Sequence, residues 1–277
     1  MNEEVERLSA ELRDELAESS RRRIVDPRTV PVRFSRLKRF AQSAAHYHAA
    51  CQWSDDDTLS RRIGRGTHAI LFNQPLVVWP KRRQGKAWDA FEAANANREI
   101  LTETEHLQAL AMANAIRRHP IASPLLFDGT ALERQINWSI EGRACHGTPD
   151  SVGPGRLVDL KTARTTEPDR FTRQATWMSY HAQLAWYQDG LQHAGKQRPD
   201  ECYIVAVESS EPYAVTVLRL TERALDQGRR LNRLWWERLR VCEAANEWPP
   251  YAQTVIDFDV SDAEEFTLSI DGEDVEL

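Results

Sequence analysis

Hydrophobic residues in the N-terminal half of the chain recur every three or four positions, which is the period of amphipathic helices. Residues 3–22 show this most clearly, because Val5, Leu8, Leu12 and Leu16 are separated by Glu and Arg. This helix would lie on the surface of its own domain or form an oligomer contact. Further helices are predicted at residues 35–51, at 67–72 after a turn at 64–66, and at 98–118, with a basic loop at 81–86.

Near residue 135 the period changes to two, so that apolar and polar residues alternate as they do in half-buried strands. The predicted strands are 135–140, 144–149, 156–161, 202–208 and 213–219, with a tight turn at 152–155. Helices are predicted at 170–194 and 221–246. This order of elements favours an α/β fold with a mixed central sheet flanked by helices.

Charge is distributed unevenly along the 277 residues, whose net charge is −6. Residues 257–277 contain nine acidic and no basic residues, so the other 256 positions hold 36 basic and 33 acidic residues. We therefore expect an N-terminal helix and linker at 1–32, a main domain at 33–256 and an acidic tail at 257–277. Alternating apolar residues leave two alternatives for the tail, a mobile segment or an edge strand. A mildly basic body permits DNA binding but does not indicate it.

The chain lacks the sequence features of membrane, secreted and zinc-binding proteins. It has no run of 18 apolar residues, and its charged N-terminus has no apolar signal core, so a cytoplasmic location is expected. Cys51, Cys145, Cys202 and Cys242 are far apart and form no CxxC pair, which argues against a zinc site. A G-x-x-x-x-G-K-[ST] loop is also missing, so no ATP-driven motor is expected.

Asp150 and the run Asp159-Leu160-Lys161 form the candidate site for chemistry. Alternation along the strand places Asp159 and Lys161 on one face, while Val158 and Leu160 face the core. The turn brings Asp150 beside Asp159, so two carboxylates and an ammonium converge. Such carboxylates suit Mg²⁺ or Mn²⁺, which polarise a phosphate and lower the pKa of a bound water. The alternative is a surface salt bridge between Asp159 and Lys161.

The run GTPDSVGPGRLVDLKTA at residues 147–163 resembles the core motif of the PD-(D/E)xK nuclease superfamily. Its details are similar to those of the RecE-type exonucleases (exodeoxyribonuclease VIII) and their phage relatives. The tripeptide GTH that ends at His68 resembles the first motif of these nucleases, and Gln183 with Tyr187 resembles their Q-x-x-x-Y motif. The run SRLKRFAQSAAHYHAA also resembles the start of such domains, so the resemblance covers about residues 33–240.

The resemblance implies a PD-(D/E)xK, restriction-endonuclease-like core with a divalent metal ion at its centre. Asp150, Asp159, His68 and the main-chain carbonyl of Leu160 would be the metal ligands, and Lys161 would be the catalytic lysine. A histidine among the carboxylates makes Mn²⁺ a substitute for Mg²⁺. Without this motif context, His68 would be an ordinary solvated helix histidine.

Gln183 and Tyr187 lie one helical turn apart and therefore share a face of their helix. The resemblance implies that this face meets the active site and the DNA, with Gln183 taking part in catalysis. Tyr187 could instead pack in the core with neighbouring aromatic and leucine side chains. A buried glutamine needs hydrogen-bond partners, which a lysine or a phosphate would supply.

Basic residues on both sides of the His68 helix are candidates for contacts with DNA. Arg61, Arg62 and Arg65 precede His68, and a guanidinium can bind the DNA backbone or a 5′ phosphate at two points. A second cluster follows the helix and comprises Lys81, Arg82, Arg83 and Lys86. Runs of charge are also common in solvated loops, which is the alternative for both clusters.

Four other residues near these motifs are given ordinary structural roles. Glu133 is interpreted as an exposed strand-end acid, although it could assist the site from behind the ligands. Glu99 is interpreted as a solvated helix acid, and Cys145 and His146 as strand residues rather than ligands. No iron–sulfur cluster is expected, because only two widely separated cysteines follow the core motif.

Together the motifs predict a metal-dependent exonuclease that digests linear double-stranded DNA 5′ to 3′, for end resection in recombination. The resemblance implies a single-strand annealing protein as partner and a homo-oligomer, and no membrane contact is expected. The alternatives are an endonuclease or flap nuclease with the same site, and a non-catalytic DNA-binding scaffold. The full set of His68, Asp150, Asp159 and Lys161 argues against the scaffold.

Overall fold

The computed structural model describes residues 25–52, 57–252 and 254–256, and the backbone of two strands at 267–270 and 273–276. The helix predicted at residues 3–22 lies outside the described residues. Within them, no helix combines the length and the apolar composition that crossing a membrane requires.

Helices dominate the first part of the described chain, and strands dominate its middle. The helices are α1 (Phe34–Leu37), α2 (Ala44–Gln52), α3 (Leu59–Leu71), α4 (Gly85–Ala94), α5 (Glu103–Arg118), α6 (Ala122–Phe127), α7 (Pro168–Trp177), α8 (Tyr180–His193) and α9 (Glu222–Ala245), with a 3₁₀ turn at Lys38–Ala41. The strands are β1 (Leu76–Trp79), β2 (Glu99–Thr102), β3 (Ala131–Leu132), β4 (Ile136–Ile140), β5 (Arg143–Gly147), β6 (Ser151–Gly153), β7 (Arg156–Ala163), β8 (Glu201–Glu208), β9 (Val215–Arg219), β10 (Thr267–Ile270) and β11 (Glu273–Glu276).

A five-stranded mixed sheet in the order β3-β6-β7-β8-β9 forms the centre of the fold. β7 and β8 run parallel to each other, and the other neighbouring strands are antiparallel. A parallel pair needs a long crossover connection, which α7 and α8 supply. The predicted α/β fold with a mixed central sheet flanked by helices is therefore confirmed.

Strand β7 lies inside the sheet, and its side chains alternate between two apolar clusters, with Val158 and Leu160 facing the same cluster as predicted. Leu157 packs in the first cluster with Ile204 of β8, and Val158 and Leu160 pack in the second. The first cluster extends into α8 and α9, and the second into α3, α5 and α6. A one-residue slip would turn Asp159 into the second apolar cluster, so the two clusters fix the register of the strand.

Residues 64–66 are helical, so the turn predicted there is wrong. Helix α3 begins after Thr58, whose side chain accepts a hydrogen bond from the Arg61 N–H, and it continues unbroken to Leu71. The two glycines serve close packing instead of a turn. A Cβ at Gly66 would lie 2.5 Å from Leu101 Cδ1 of β2, and a Cβ at Gly64 would lie 3.1 Å from Thr162 Oγ1 of β7.

The helix predicted at 98–118 begins later, at Glu103, because residues 99–102 form β2. This strand pairs in parallel with β1, which the sequence did not predict. Thr102 ends β2 and caps α5, since its side chain accepts from the Glu105 N–H while the Glu105 carboxylate accepts from the Thr102 N–H. The basic loop predicted at 81–86 ends at Gln84, where the unpredicted helix α4 starts, and α6 was also not predicted.

The single helix predicted at 170–194 consists of two helices, α7 and α8. The break lies at Ser179, whose φ of 59° is in the left-handed region that does not continue a helix. Met178 and Ser179 therefore turn the chain between Trp177 and Tyr180. The break changes the direction of the chain just before Gln183.

Two hairpins stand apart from the central sheet. β4 and β5 pair with each other, and β5 ends at Gly147, before the predicted end at residue 149. Asp150, expected directly after this strand, consequently lies in the link between β5 and β6. In the acidic tail, β10 and β11 pair with each other in an antiparallel hairpin.

Candidate active site

Strand β7 carries Asp159 and Lys161 side by side near its carboxyl end. The Lys161 Nζ lies 2.5 Å from Asp159 Oδ2, and only 3% of the Asp159 side chain is exposed. The ammonium also lies over the ring of Tyr180, 4.7 Å from its centroid. Because Tyr180 is the first residue of α8, the break at Ser179 places this ring against the lysine.

Asp150 is held against β7 by the main chain. Its Oδ2 accepts a hydrogen bond of 2.6 Å from the Leu160 N–H, which leaves Oδ1 directed towards His68. The Asp150 carbonyl accepts a second bond, of 2.9 Å, from the Glu133 N–H. The turn therefore brings the two aspartates to the same strand end, and the Leu160 contact goes through its N–H. The ligand role of the Leu160 carbonyl stays a prediction.

His68 and Glu133 approach Asp150 from outside the strand. His68 Nδ1 lies 3.5 Å from both Asp150 Oδ1 and Glu133 Oε1. One ligand atom from each of these three residues lies within 4.8 Å of the others, which is compact enough to hold a metal ion. Glu133 is half-buried and has a φ of 44°, so its interpretation as an exposed strand-end acid is wrong.

Glu133 is the residue of this cluster that the sequence analysis did not assign as a ligand, although it allowed a supporting role. It follows the two-residue strand β3, far along the chain from His68. Its side chain also meets Gln74, whose amide donates to Glu133 Oε2. Neither contact leaves a periodic pattern in the sequence, so only the isolated acid before a predicted hairpin was available as a signal.

Gln183 links the acidic end of β7 to Tyr187. Its Nε2 lies 3.2 Å from Asp159 Oδ1 and 3.1 Å from the Tyr187 hydroxyl. Tyr187 also belongs to the first apolar cluster, and a Cβ at Gly147 would lie 2.6 Å from Tyr187 Cε1. The Tyr187 ring therefore packs in the core, as one alternative expected, while its hydroxyl reaches Gln183 beside the site; its contact with DNA stays a prediction.

Burial and neighbouring charges shift the protonation of the cluster. Burial raises the pKa of Asp150 to about 6, with repulsion from Asp159 acting in the same direction and His68 against it. Burial opposes the charged form of His68, but Asp150 and a hydrogen bond with Glu133 outweigh it and raise the pKa of the ring. Such groups hold protons near neutral pH that an arriving cation would displace.

Lys161 and Tyr187 keep their ordinary charges in this environment. Burial opposes the Lys161 ammonium, but the carboxylates of Asp159 and Asp150 outweigh burial and raise its pKa, so the side chain stays positive. Burial raises the pKa of Tyr187 to about 12, so the phenol stays neutral. The site thus offers one fixed cation beside carboxylates that can exchange protons for a metal.

Two cavities open on this cluster. One, of about 450 Å³, reaches Lys161, and its polar lining includes Arg33, Lys38, Arg61, His146, Gln183 and Tyr187. The other, of about 570 Å³, is lined by His68 and Glu133 together with Arg65, Asn97, Arg98 and Glu99. The cavity at Lys161 is the more basic of the two, which suits a polyanion.

The three arginines before His68 do not share one environment. Arg62 pairs with Glu105 at 3.0 Å and with Asp57 at 3.3 Å. Arg65 pairs with Glu99 at 2.9 Å and with Asp57 at 2.6 Å, so Glu99 is not the solvated helix acid that the sequence suggested.

Arg61, in contrast, lines the cavity at Lys161. In the second basic cluster, Arg83 is turned inward, because it donates to Glu105 at 2.6 Å and to the Ile100 carbonyl at 2.7 Å.

The donors present fit a divalent metal ion. An imidazole and two carboxylates converge, and a mixture of nitrogen and oxygen ligands can hold a divalent metal ion. Cys145 is buried in β5, and His146 beside it lines the cavity at Lys161 without belonging to the ligand group. All four cysteines are free and buried.

Comparison with known proteins gives a family and a fold. The model of a family described as "PDDEXK-like domain of unknown function (DUF3799)" matches residues 33–256. No curated protein matches the chain. A candidate exonuclease from Eubacterium rectale has the same fold, with a TM-score of 0.60 at 15% identity, over 83% of this chain and 91% of that one.

Two further structures are similar at lower TM-scores. An alkaline exonuclease from Laribacter hongkongensis matches at a TM-score of 0.38 and 12% identity, over 79% of this chain and 92% of that one. A phage-related exonuclease from Haemophilus somnus 129PT matches at 0.33 and 13%, over 76% of this chain and 96% of that one.

Proposed function

Because the chain belongs to the family of PDDEXK-like domains, we propose that it is a metal-dependent deoxyribonuclease, acting as an exonuclease on linear double-stranded DNA. The observation that carries this proposal is the convergence of His68, Glu133 and Asp150 beside the buried pair of Asp159 and Lys161. A structural ion pair would not need a histidine and two further acids directed at the same point.

His68, Glu133 and Asp150 would hold the metal ion, with Asp159 and the Leu160 carbonyl as the further ligands that the motif implies. When bound, the ion would polarise the scissile phosphate and lower the pKa of an attacking water. Mg²⁺ is the proposed ion, and Mn²⁺ its substitute.

The protein's own groups would orient and stabilise the reacting phosphate. Lys161 stays protonated, so its ammonium can offset the negative charge that grows on a phosphate oxygen. Gln183 holds Asp159 through Oδ1, and Tyr187 in turn limits the movement of Gln183. Tyr180 lies against the ammonium and keeps it at the strand end.

The cavity at Lys161 is the proposed place for the strand that is cut. Its volume of about 450 Å³ is in the usual range of ligand pockets, roughly 300–1,000 Å³. Arg33, Lys38 and Arg61 supply positive charge for phosphates. We place the 5′ phosphate on the Arg61 side, since Arg61 lines this cavity and Arg62 and Arg65 do not, and we propose digestion from 5′ to 3′.

The biological setting follows from the motif resemblance. The proposed role is the resection of DNA ends for recombination in the cytoplasm, together with a single-strand annealing protein. A homo-oligomer would keep the enzyme on its substrate, and residues 3–22 would supply its contact.

A cleavage assay tests the proposal directly. Linear and covalently closed duplexes of the same sequence are incubated with the full-length chain in Mg²⁺, in Mn²⁺ and in EDTA. We expect loss of the linear duplex with either metal, no reaction in EDTA and an intact closed circle. Cutting of the circle would favour an endonuclease, and binding without cleavage in either metal would favour the scaffold.

A duplex labelled separately at its 5′ and 3′ ends tests the direction of digestion. Early release of the 5′ label, faster with a 5′ phosphate than with a 5′ hydroxyl, is the expected result. Early release of the 3′ label with the 5′ label retained would show the opposite polarity and remove the proposed role of Arg61.

A further inference from the structure

Helix α7 presents an exposed stripe made of Arg170, Arg173 and Trp177. The Trp177 side chain is 82% exposed, and both arginines are exposed as well. Five other tryptophans of the described chain are at most 9% exposed: Trp79, Trp138, Trp186, Trp235 and Trp236. A single exposed aromatic residue means little by itself. Here it stands on the same helix face as two cations.

The geometry of the helix joins this stripe to the active-site cavity. With about 100° between successive residues, Arg170, Arg173 and Trp177 fall within an arc of about 60°. The next positions around the helix on one side are Gln174 and Met178, and Met178 lines the cavity at Lys161. The buried residues Phe171 and Ala175 lie beyond them. The stripe is therefore continuous with the rim of the cavity.

The two arginines are available for a ligand. Neither guanidinium forms an ion pair or a side-chain hydrogen bond with any residue that the structure describes. Two acids precede them in the helix, Glu167 and Asp169. Glu167 uses its carboxylate to accept from the N–H groups of Asp169 and Arg170 at the start of the helix, and Asp169 forms no ion pair with either arginine in the described structure. Arg62, Arg65 and Arg83 on the other side of the site are all paired with acids.

We infer that the Arg170–Arg173–Trp177 stripe binds single-stranded DNA at the entrance of the Lys161 cavity. The arginines contact successive phosphates, and the indole of Trp177 stacks on an unpaired base. Basic side chains that follow the backbone, with an aromatic ring as a platform for a base, are the combination by which proteins hold single strands. This inference rests on the proposed nuclease function and adds the form of DNA that the site receives.

Stacking on Trp177 requires a base that is not enclosed in the duplex. A terminal base can meet this requirement only when it is frayed or unpaired, so the stripe would select an opened end over a closed one. The strand then passes Met178 and reaches Lys161.

Binding to a single-stranded oligonucleotide in EDTA, where metal-dependent cleavage is not expected, tests the inference with the full-length chain. Trp177→Ala should weaken binding about tenfold, in line with the loss of one base–aromatic stack. Trp177→Phe keeps a ring and should recover most of the affinity. Arg170→Ala combined with Arg173→Ala should lower the slope of log K against log salt by about 1.4, since each lost phosphate contact on a single strand removes about 0.7.

Arg230 and Arg233 of α9 provide a matched control. They are exposed, have the same spacing of three residues and line neither active-site cavity. Replacing both with Ala removes the same charge and should leave the salt slope within about 0.3 of the wild type, well under the loss of one phosphate contact. An equal change in both double variants would show a general charge effect and overturn the inference, as would unchanged binding in Trp177→Ala.

A single abasic nucleotide, moved along the oligonucleotide, identifies the stacked base. One position should weaken binding to the wild type and cause no further loss in Trp177→Ala. If the wild type cleaves DNA but neither the substitutions nor the abasic nucleotide alters binding, the inference about the stripe is wrong and the proposed nuclease function stands. If binding depends on the stripe but no metal supports cleavage, the proposed nuclease function is wrong and single-strand binding by the stripe stands.

Discussion

The candidate site has a sheet side and a helix side that are built differently. On the sheet side, Asp159 and Lys161 stand in β7, which is hydrogen-bonded to β6 and β8, and Asp150 is tied to the Leu160 N–H. On the helix side, His68 comes from α3. Glu133 follows the two-residue strand β3, and its own backbone has a left-handed conformation.

The two sides also differ in exposure. The Asp159 and Asp150 side chains are 3% and 12% exposed, whereas those of His68 and Glu133 are 24% and 21% exposed. Lys161, whose ammonium must meet the phosphate in one geometry, lies on the hydrogen-bonded strand β7, and the more exposed donors can adapt to the ion. Substitutions on the sheet side should therefore lower the rate of cleavage, whereas those on the helix side should lower the affinity for the metal ion.

The largest expected effect is on the sheet side. Lys161→Ala should lower the rate of cleavage at least about 10²-fold at any metal concentration, because no other ammonium replaces it beside Asp159. Asp150→Ala and Asp159→Ala should each have a similar effect. Single-turnover cleavage of a linear duplex measures the rates, and thermal unfolding checks the fold. Lys196→Ala, at an exposed lysine, is the control. Near-wild-type cleavage by Lys161→Ala would sink the assignment.

On the helix side, Glu133→Gln should mainly weaken metal binding, by at least about tenfold, because even the residues behind metal ligands commonly contribute 10- to 100-fold to metal affinity. Raising the metal concentration should restore much of the rate. Glu99 lines the same cavity but pairs with Arg65. Glu99→Gln is therefore the control and should change metal binding little. If no metal concentration restores the rate of Glu133→Gln, then Glu133, like Lys161, is required for the reaction itself. The proposed difference between the two sides of the site would then be wrong.

The affinity for the metal ion should depend on pH, because Asp150 on the sheet side and His68 on the helix side both exchange protons. The pKa of Asp150 is raised to about 6, so its carboxyl takes up a proton as the pH falls from 7 to 5, and the pKa of His68 is raised above its ordinary value, which favours a protonated ring. The ion must displace these protons, and its affinity should decrease over that range. Calorimetric titration with Mn²⁺ at several pH values measures it. Asp150→Asn should make the dependence shallower. A flat profile down to pH 5 would mean that neither group binds the ion.

The smallest effect on cleavage is expected at the glycines that let α3 approach the sheet. Gly66→Ala should lower the free energy of unfolding by about 1–3 kcal/mol, because its Cβ would press on the buried Leu101 side chain. Gly64→Ala should cost less, since its closest contact is 3.1 Å from Thr162 Oγ1. Denaturant unfolding measures both. A more stable Gly66→Ala protein would show that the close approach of α3 does not limit the position of His68.

The same contrast explains how much of the site the sequence predicts. Asp150, Asp159 and Lys161 are joined by one turn and one strand, so period-two alternation was enough to place them together. The relation of Gln183 to Tyr187 is likewise local, one turn of a helix. Tertiary packing had to be known for the rest.

Three features depended on contacts between distant segments. Glu133 meets His68 only because α3 packs beside the end of β3. Gly64 and Gly66, usual turn formers, lie in a helix, where the absence of a Cβ lets α3 approach Thr162 and Leu101 closely. The break at Ser179 has no proline or glycine to mark it, so an uninterrupted helix was the natural reading of residues 170–194.

The parallel pairing of β7 with β8 also determines when the site can be completed during protein synthesis. A nascent chain that has reached residue 200 already contains His68, Glu133, Asp150 and Lys161, but β7 is still an edge strand without its inner neighbour. Translation proceeds at about 5–20 residues per second. β8 must leave the ribosome before β7 can pair with a strand on each side and its register is fixed. A stalled or truncated chain of that length carries these side chains without the neighbouring strand that fixes the register of β7.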